Sequence, residues 1–115
     1  MKAQITSYLP AEEESEFRDY AAMLGIDKSA LANLLIRREI ARDRLNELGR
    51  FGHQMPRSAC TKVTAHVDDA TKTAFAVHSA RHALRPGVAA GLLFRAELAE
   101  HWLQHSLGIN GAGSA

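Results

Sequence analysis

Cysteine is almost absent from this 115-residue chain: Cys60 stands alone, so no internal disulfide can form. That usage leads one to expect a reducing, cytoplasmic setting. Excess charge is missing too. Fourteen Lys and Arg stand against 13 Asp and Glu, a formal net charge of +1. Bulk charge therefore cannot hold the chain on a polyanion, and any contact with nucleic acid must come from placed residues. Neither half is a basic tail: nine basic and nine acidic residues lie in the first 58 positions, five and four in the rest. No apolar run approaches membrane-spanning length, and the opening MKAQITSYLP lacks the apolar centre of a signal peptide. No membrane partner is expected. There is no glycine-rich phosphate loop, no nucleophile–base–acid pattern and no pair of carboxylates suited to acid–base work. These absences argue against an enzyme and against a cofactor.

What the chain does have is an internal repeat. Displaced by 58 residues, Ile5–Arg42 falls without a gap on Val63–Glu100, and nine of 38 positions are identical. They include Thr6/Thr64, Phe17/Phe75, Leu35/Leu93, Arg37/Arg95 and Glu39/Glu97. Ile5/Val63, Leu9/Val67, Ile26/Leu84 and Ile40/Leu98 are conservative pairs. Each copy opens with an alternating run, Gln4–Leu9 and Lys62–Val67. Period two predicts strands with Ile5, Ser7 and Leu9, and likewise Val63, Ala65 and Val67, facing inward. Gln4, Thr6, Tyr8, Lys62, Thr64 and His66 then face out.

A helix is predicted over 11–24, with Pro10 before its first turn and Glu12, Glu13 and Glu14 at its positive end. Phe17, Ala21 and Leu24 make its inward stripe. Gly25 supplies a left-handed cap. Asp27 caps a second helix, predicted over 28–48. Leu31, Leu34, Leu35, Ala41, Leu45 and Leu48 lie on one side of it, and Ile36 and Ile40 on another, so it is expected to be covered from both sides. One strand and two helices cannot bury these faces, and a lone strand leaves its backbone groups unpaired. Two units can: the strands pair as an antiparallel ribbon and the second helices interlock beneath it. The connection, 49–61, reaches about 40 Å if extended, ample for that pairing.

The order strand, helix, Gly, helix, with LPAEEE opening the first helix and GIDKSAL joining the two, resembles the ribbon-helix-helix family of MetJ, Arc and CopG. The resemblance covers 4–42 well and 62–100 more loosely, through the repeat. In that family two chains normally make the unit; this chain resembles the fused, tandem form of the TraY-type proteins of conjugative plasmids. The implied fold is mainly α with a short two-stranded antiparallel β-ribbon: two fused ribbon-helix-helix units (β-α-α-β-α-α) in one pseudo-symmetric intertwined domain. The implied organisation is repeat 1 over 1–48, a linker over 49–61, repeat 2 over 62–107 and a flexible tail over 108–115. The second copy departs at its junction. Ala83 replaces Gly25, Arg85-Pro86-Gly87 replaces Asp27-Lys28-Ser29, and His82 replaces Leu24. A differently shaped second junction is expected.

The resemblance implies double-stranded DNA as partner. The major groove admits a two-stranded ribbon, and Gln, Lys and Thr are side-chain types that read base edges there. Gln4, Thr6, Tyr8, Lys62, Thr64 and His66 are the candidate base contacts. The second helices would aim their N-termini at flanking phosphates, through Lys28, Ser29 and the Ala30 amide in repeat 1. Arg85, Gly87 and Val88 would do so more weakly in repeat 2. Such a protein represses transcription, often of its own operon. The alternatives are a relaxosome accessory protein near a transfer origin, with a relaxase as partner, and an antitoxin-like module with a toxin as partner. A helical module without DNA binding is the remaining reading. Because one ribbon touches few base pairs, either self-association of a second chain alongside on DNA or bending of the DNA is expected. His78/His82 and His101/His105 have helical i, i+4 spacing, but no carboxylate or Cys visibly completes a set, so they read as partly exposed histidines with no metal. Arg37, Arg38, Arg42 and Arg44 read as a solvated helix face.

Overall fold

In a computed structural model of the chain, residues 2–47 and 60–106 are described. Strands β1 (Lys2–Pro10) and β2 (Cys60–Asp68) form one antiparallel sheet. Helices α1 (Ala11–Met23) and α2 (Lys28–Arg42) follow β1; α3 (Asp69–Arg81), α4 (Pro86–Glu100) and the short α5 (Trp102–Ser106) follow β2. The protein is thus mainly helical with a two-stranded antiparallel sheet. Both strands run two residues further at their early ends than the alternation predicts. Cys60 and Thr61, expected in the linker, pair with Pro10 and Leu9. The remainder of that linker, Leu48 and the tail over 108–115 lie outside the described residues. No helix among the described residues is long and apolar enough to cross a membrane.

Register follows from the repeat. Thr6 faces its own equivalent, Thr64, at the centre of the ribbon, and pairing extends evenly to Lys2–Asp68 and Pro10–Cys60. Ile5, Ser7, Leu9, Val63, Ala65 and Val67 are all buried, as period two requires. Helix α4 packs on β1 and α2 on β2, so each second helix covers the other copy's strand. Ser7 Oγ donates to the Gly87 carbonyl at 2.7 Å, and Asn33 Nδ2 donates to the His66 carbonyl at 2.9 Å. Beneath the sheet the core joins Phe17, Phe75, Phe94, Leu31, Leu35, Ile36 and Leu93, with the Phe17 and Phe94 rings 4.9 Å apart.

The second junction is not reshaped as the Ala83 substitution predicts. Ala83 adopts φ 57° and Gly25 φ 82°. Both junctions make the same pair of bonds: Gly25 N–H to Ala22 O and Ile26 N–H to Ala21 O, Ala83 N–H to Ala80 O and Leu84 N–H to Ser79 O. This is a Schellman cap, held in the second copy by its hydrogen bonds and the half-buried Leu84 against Ala's steric preference.

The helix expected over 28–48 ends at Arg42. Glu39, only 1% exposed, turns back to take the Arg44 and Leu45 N–H groups at 2.8 and 3.1 Å, and Leu45–Glu47 forms a separate 3-10 turn. Leu45 still reaches the core. Leu34 does not: it is 45% exposed, whereas its equivalent Leu92 is buried. Nor are the arginines a uniform solvated face. Arg37 and Arg42 are exposed. Arg38 is buried, 3.4 Å from Glu97 Oε1 and 4.1 Å above the Trp102 ring, while Arg44 grips Glu100 through both terminal nitrogens. Periodicity in α2 alone cannot reveal this, because the partners belong to the other repeat. Burial pushes the Arg38 guanidinium below its ordinary ionisation range, against the pull of Glu97.

Glu97 is the counterpart of Glu39. It is fully buried, accepts Leu103 N–H at 2.7 Å, and takes the Tyr20 hydroxyl at 2.7 Å. Burial, then the bond to Glu97, holds the Tyr20 phenol well above its usual range.

Two outcomes are expected in urea denaturation. Ala83→Gly raises stability by about 1 kcal/mol, and Gly25→Ala lowers it by a similar amount, because an added Cβ at Gly25 meets nothing within 4 Å and only the backbone preference changes. Tyr20→Phe costs about 1–3 kcal/mol by stripping a donor from a buried carboxylate. Tyr20's contribution is complete below pH about 10 and fades as pH climbs towards its raised folded value, so wild type loses more stability between pH 10 and 12 than Tyr20→Phe does.

Candidate nucleic-acid interface

The outer face of the ribbon assembles from the alternation itself. Pairing sets Gln4 against His66, Thr6 against Thr64 and Tyr8 against Lys62. All six side chains expected to face out do so: Gln4, Tyr8, Lys62 and His66 are exposed, and Thr6 and Thr64 are half-buried at the centre. Tyr8 is a phenol left 52% exposed with its ring outside the core. The opposite face buries Ile5, Ser7, Leu9, Val63, Ala65 and Val67, so the strip is polar on one side and packed on the core on the other.

Two of the candidate base contacts, Thr6 and Tyr8, meet the candidate phosphate contacts of repeat 2. Thr6, Ser7 and Tyr8 of β1, Arg85 just before α4, and Gly87 and Val88 in its first turn line a single shallow cleft. Gly87 makes this approach possible. A Cβ at that position would lie 2.6 Å from the Thr6 carbonyl oxygen, inside any allowed contact. Its equivalent in the first copy is Ser29, half-buried at the start of α2.

The two helix N-termini differ in how their amides and side chains are engaged. Asp27 Oδ1 already takes the Ala30 N–H at 2.8 Å, so that amide is occupied by the cap. Lys28 Nζ is bound to the buried Glu14 carboxylate. Repeat 1 therefore offers an anion less than its sequence implies. In α4, Arg85 occupies the N-cap position with no side-chain cap bond, Pro86 begins the helix, and Arg85 and Val88 are exposed. The first-turn amides of α4 meet no capping side chain, which is the arrangement that suits an anion. The acidic start of α1 is also less free than a solvated cluster: Glu13 pairs with Arg95 at 2.7 Å, and Glu14 with Lys28. Both pairs draw negative charge off that surface.

Compared with known proteins, the chain matches no family model, no curated protein and no solved structure. The interface therefore stands on its residues.

One group of residues escaped the linear reading. His78 is buried and His82 half-buried, rather than partly exposed alike, and the carboxylates of Glu39 and Asp43 converge on them from α2 and the residue that ends it. The two i, i+4 pairs stand 39 residues apart in sequence. Only the packing of α2 on α3 shows that they belong together.

Gly87→Ala is expected to lower stability by about 1–3 kcal/mol by forcing α4 away from the Thr6 carbonyl. Ser29→Ala at the equivalent place should change it by no more than about 0.5 kcal/mol. Chemical denaturation of the two variants checks the asymmetry.

Proposed function

We propose that this protein is a sequence-specific double-stranded DNA-binding protein, built as two fused ribbon-helix-helix units in one pseudo-symmetric intertwined domain. Its β-ribbon reads the major groove and its second helices bracket the flanking phosphates. The observation that carries the reading is the outward row Gln4–His66, Thr6–Thr64, Tyr8–Lys62 on a two-stranded ribbon whose other face is buried. An antiparallel ribbon is one of the two elements that the major groove accommodates, and amide, hydroxyl and ammonium groups are what base edges there recognise. The uncapped start of α4 beside Arg85 supports a phosphate contact on the second copy's side. With a net charge of only +1, affinity rests on such placed contacts. Repression of transcription is the role this mode of binding serves most directly.

The two halves of the reader differ. Repeat equivalence sets Gln4 against Lys62 and Tyr8 against His66 in chemistry, so one chain favours a site without two-fold symmetry. That asymmetry favours, as a second reading, an accessory DNA-binding protein of a conjugative relaxosome.

Selection from random duplex DNA tests both points. Wild type is expected to enrich a non-palindromic motif. A Lys62→Ala, Thr64→Ala, His66→Ala variant that retains its fold should blur one side of that motif and keep the other. A palindromic best site for a single chain would remove the asymmetric reading. Absence of any enrichment, at low and moderate salt, would remove DNA readout altogether.

A further inference from the structure

Glu39 and Glu97 occupy equivalent places near the ends of the two second helices, and both are buried carboxylates. Each accepts the backbone N–H six residues later, from Leu45 and from Leu103. Each also faces the first helix of the other repeat. There the copies part. On the Glu97 side the neighbours are Tyr20, whose hydroxyl donates to the carboxylate, and His101, stacked on the Tyr20 ring at 4.9 Å. Leu24 stands at the fourth equivalent position. A phenol, an arginine and a backbone amide thus suffice to hold a buried glutamate in this fold.

On the Glu39 side, His78 replaces Tyr20, His82 replaces Leu24 and Asp43 replaces His101. His78 Nε2 lies 2.7 Å from Glu39 Oε2 and 3.3 Å from Asp43 Oδ1, and His82 Nε2 lies 2.7 Å from Asp43 Oδ1. One donor atom from each of the four residues falls within 4.8 Å of all the others. Tetrahedral coordination at 2.0–2.1 Å separates ligand atoms by about 3.3 Å. The four atoms therefore straddle the required spacing, and small side-chain rotations bring them to it. Two features go beyond what an ion-pair network needs. Glu39 Oε1 is buried without a hydrogen-bond partner while Oε2 is anchored by two backbone amides, so the carboxylate is held in place with one oxygen to spare. Asp43, whose side chain is 57% exposed, opens the group to solvent, so an ion has a path in.

We propose that Glu39, Asp43, His78 and His82 bind one divalent first-row transition-metal ion, which ties the C-terminal end of α2 to the C-terminal end of α3. Two imidazoles with two carboxylates select Zn2+, Co2+ or Ni2+ over Mg2+ and Ca2+, which prefer all-oxygen sets. The bound ion bridges the two repeats on one side, where the Tyr20–Glu97 bond bridges them on the other. The site is independent of DNA readout and stands or falls separately from it.

The test uses the full chain stripped with chelator and titrated with Zn2+ and, separately, Co2+. One Zn2+ per chain is expected by calorimetry and native mass spectrometry, with a rise of several degrees in Tm at excess ion. Co2+ should produce a visible absorption band whose intensity reports nitrogen and oxygen ligation at low coordination number. His82→Gln and Asp43→Asn sit at the open side of the cluster and leave the buried Glu39–His78 pair intact. Each should weaken Zn2+ at least about tenfold and lower the Co2+ band, while thermal unfolding without metal remains cooperative. Mg2+ should raise Tm not at all. No Zn2+-dependent rise in Tm and no Co2+ band at millimolar ion would overturn the proposal and leave a histidine–carboxylate network. Binding that both variants retain unchanged would overturn it equally, by assigning the ion to other histidines.

Discussion

Neither strand of this chain has a partner within its own repeat, and a lone strand leaves a row of backbone donors and acceptors unpaired. Pairing of β1 with β2 resolves that constraint, and the other contacts depend on it. Once Thr6 faces Thr64, the inner row of side chains closes over Phe17, Phe75 and Phe94. The same pairing carries α4 across to β1 and α2 across to β2. A slip of β2 by one residue would turn Val63, Ala65 and Val67 to solvent and bring Lys62, Thr64 and His66 inward. The outward row that is proposed to read DNA is therefore a by-product of the register that the core enforces.

Below the ribbon the two repeats are held by polar bonds as well as by hydrocarbon. Buried Glu39 and Glu97 each cap the turn that follows their own helix and then reach into the other repeat. A buried carboxylate is costly unless its oxygens are bonded. The fold meets that requirement for Glu97 with a phenol, an arginine and a backbone amide, whereas at Glu39 two backbone amides and the His78 imidazole hold Oε2 and leave Oε1 without a hydrogen-bond partner. Phe17 and Phe75 are identical and fully buried, while Ile36 and Phe94 fill the core with different volumes.

The same asymmetry runs through the candidate interface. Gly87 lets α4 touch the Thr6 carbonyl, while Ser29 begins α2. The start of α2 is closed by Asp27 and by the Lys28–Glu14 pair, and the start of α4 is left without a capping side chain. Two copies within one chain can hold such differences, because each has its own sequence. A two-fold dimer of identical chains cannot.

Sequence alone determined the local order of this protein. Alternation marked both strands and the faces they present, since side chains in a strand have period two whatever packs on them. Gly25, Asp27 and Pro10 marked the helix ends through backbone geometry that needs no distant partner. The 58-residue repeat made pairing of the two strands the economical arrangement. Tertiary structure decided what depends on contacts beyond an element's own periodicity. It ended α2 at Arg42 through Glu39, drew Arg38 inward to Glu97 and Trp102, and left Leu34 outside. It also held Ala83 in a left-handed turn that its side chain disfavours, and gathered Glu39, Asp43, His78 and His82 at one point. The end of α2 and the Ala83 turn are settled by bonds within their own copy, and the rest share one physical reason. Periodicity reports which face of an element is buried, whereas the partner on that face is set by how helices from two separate stretches of chain cross.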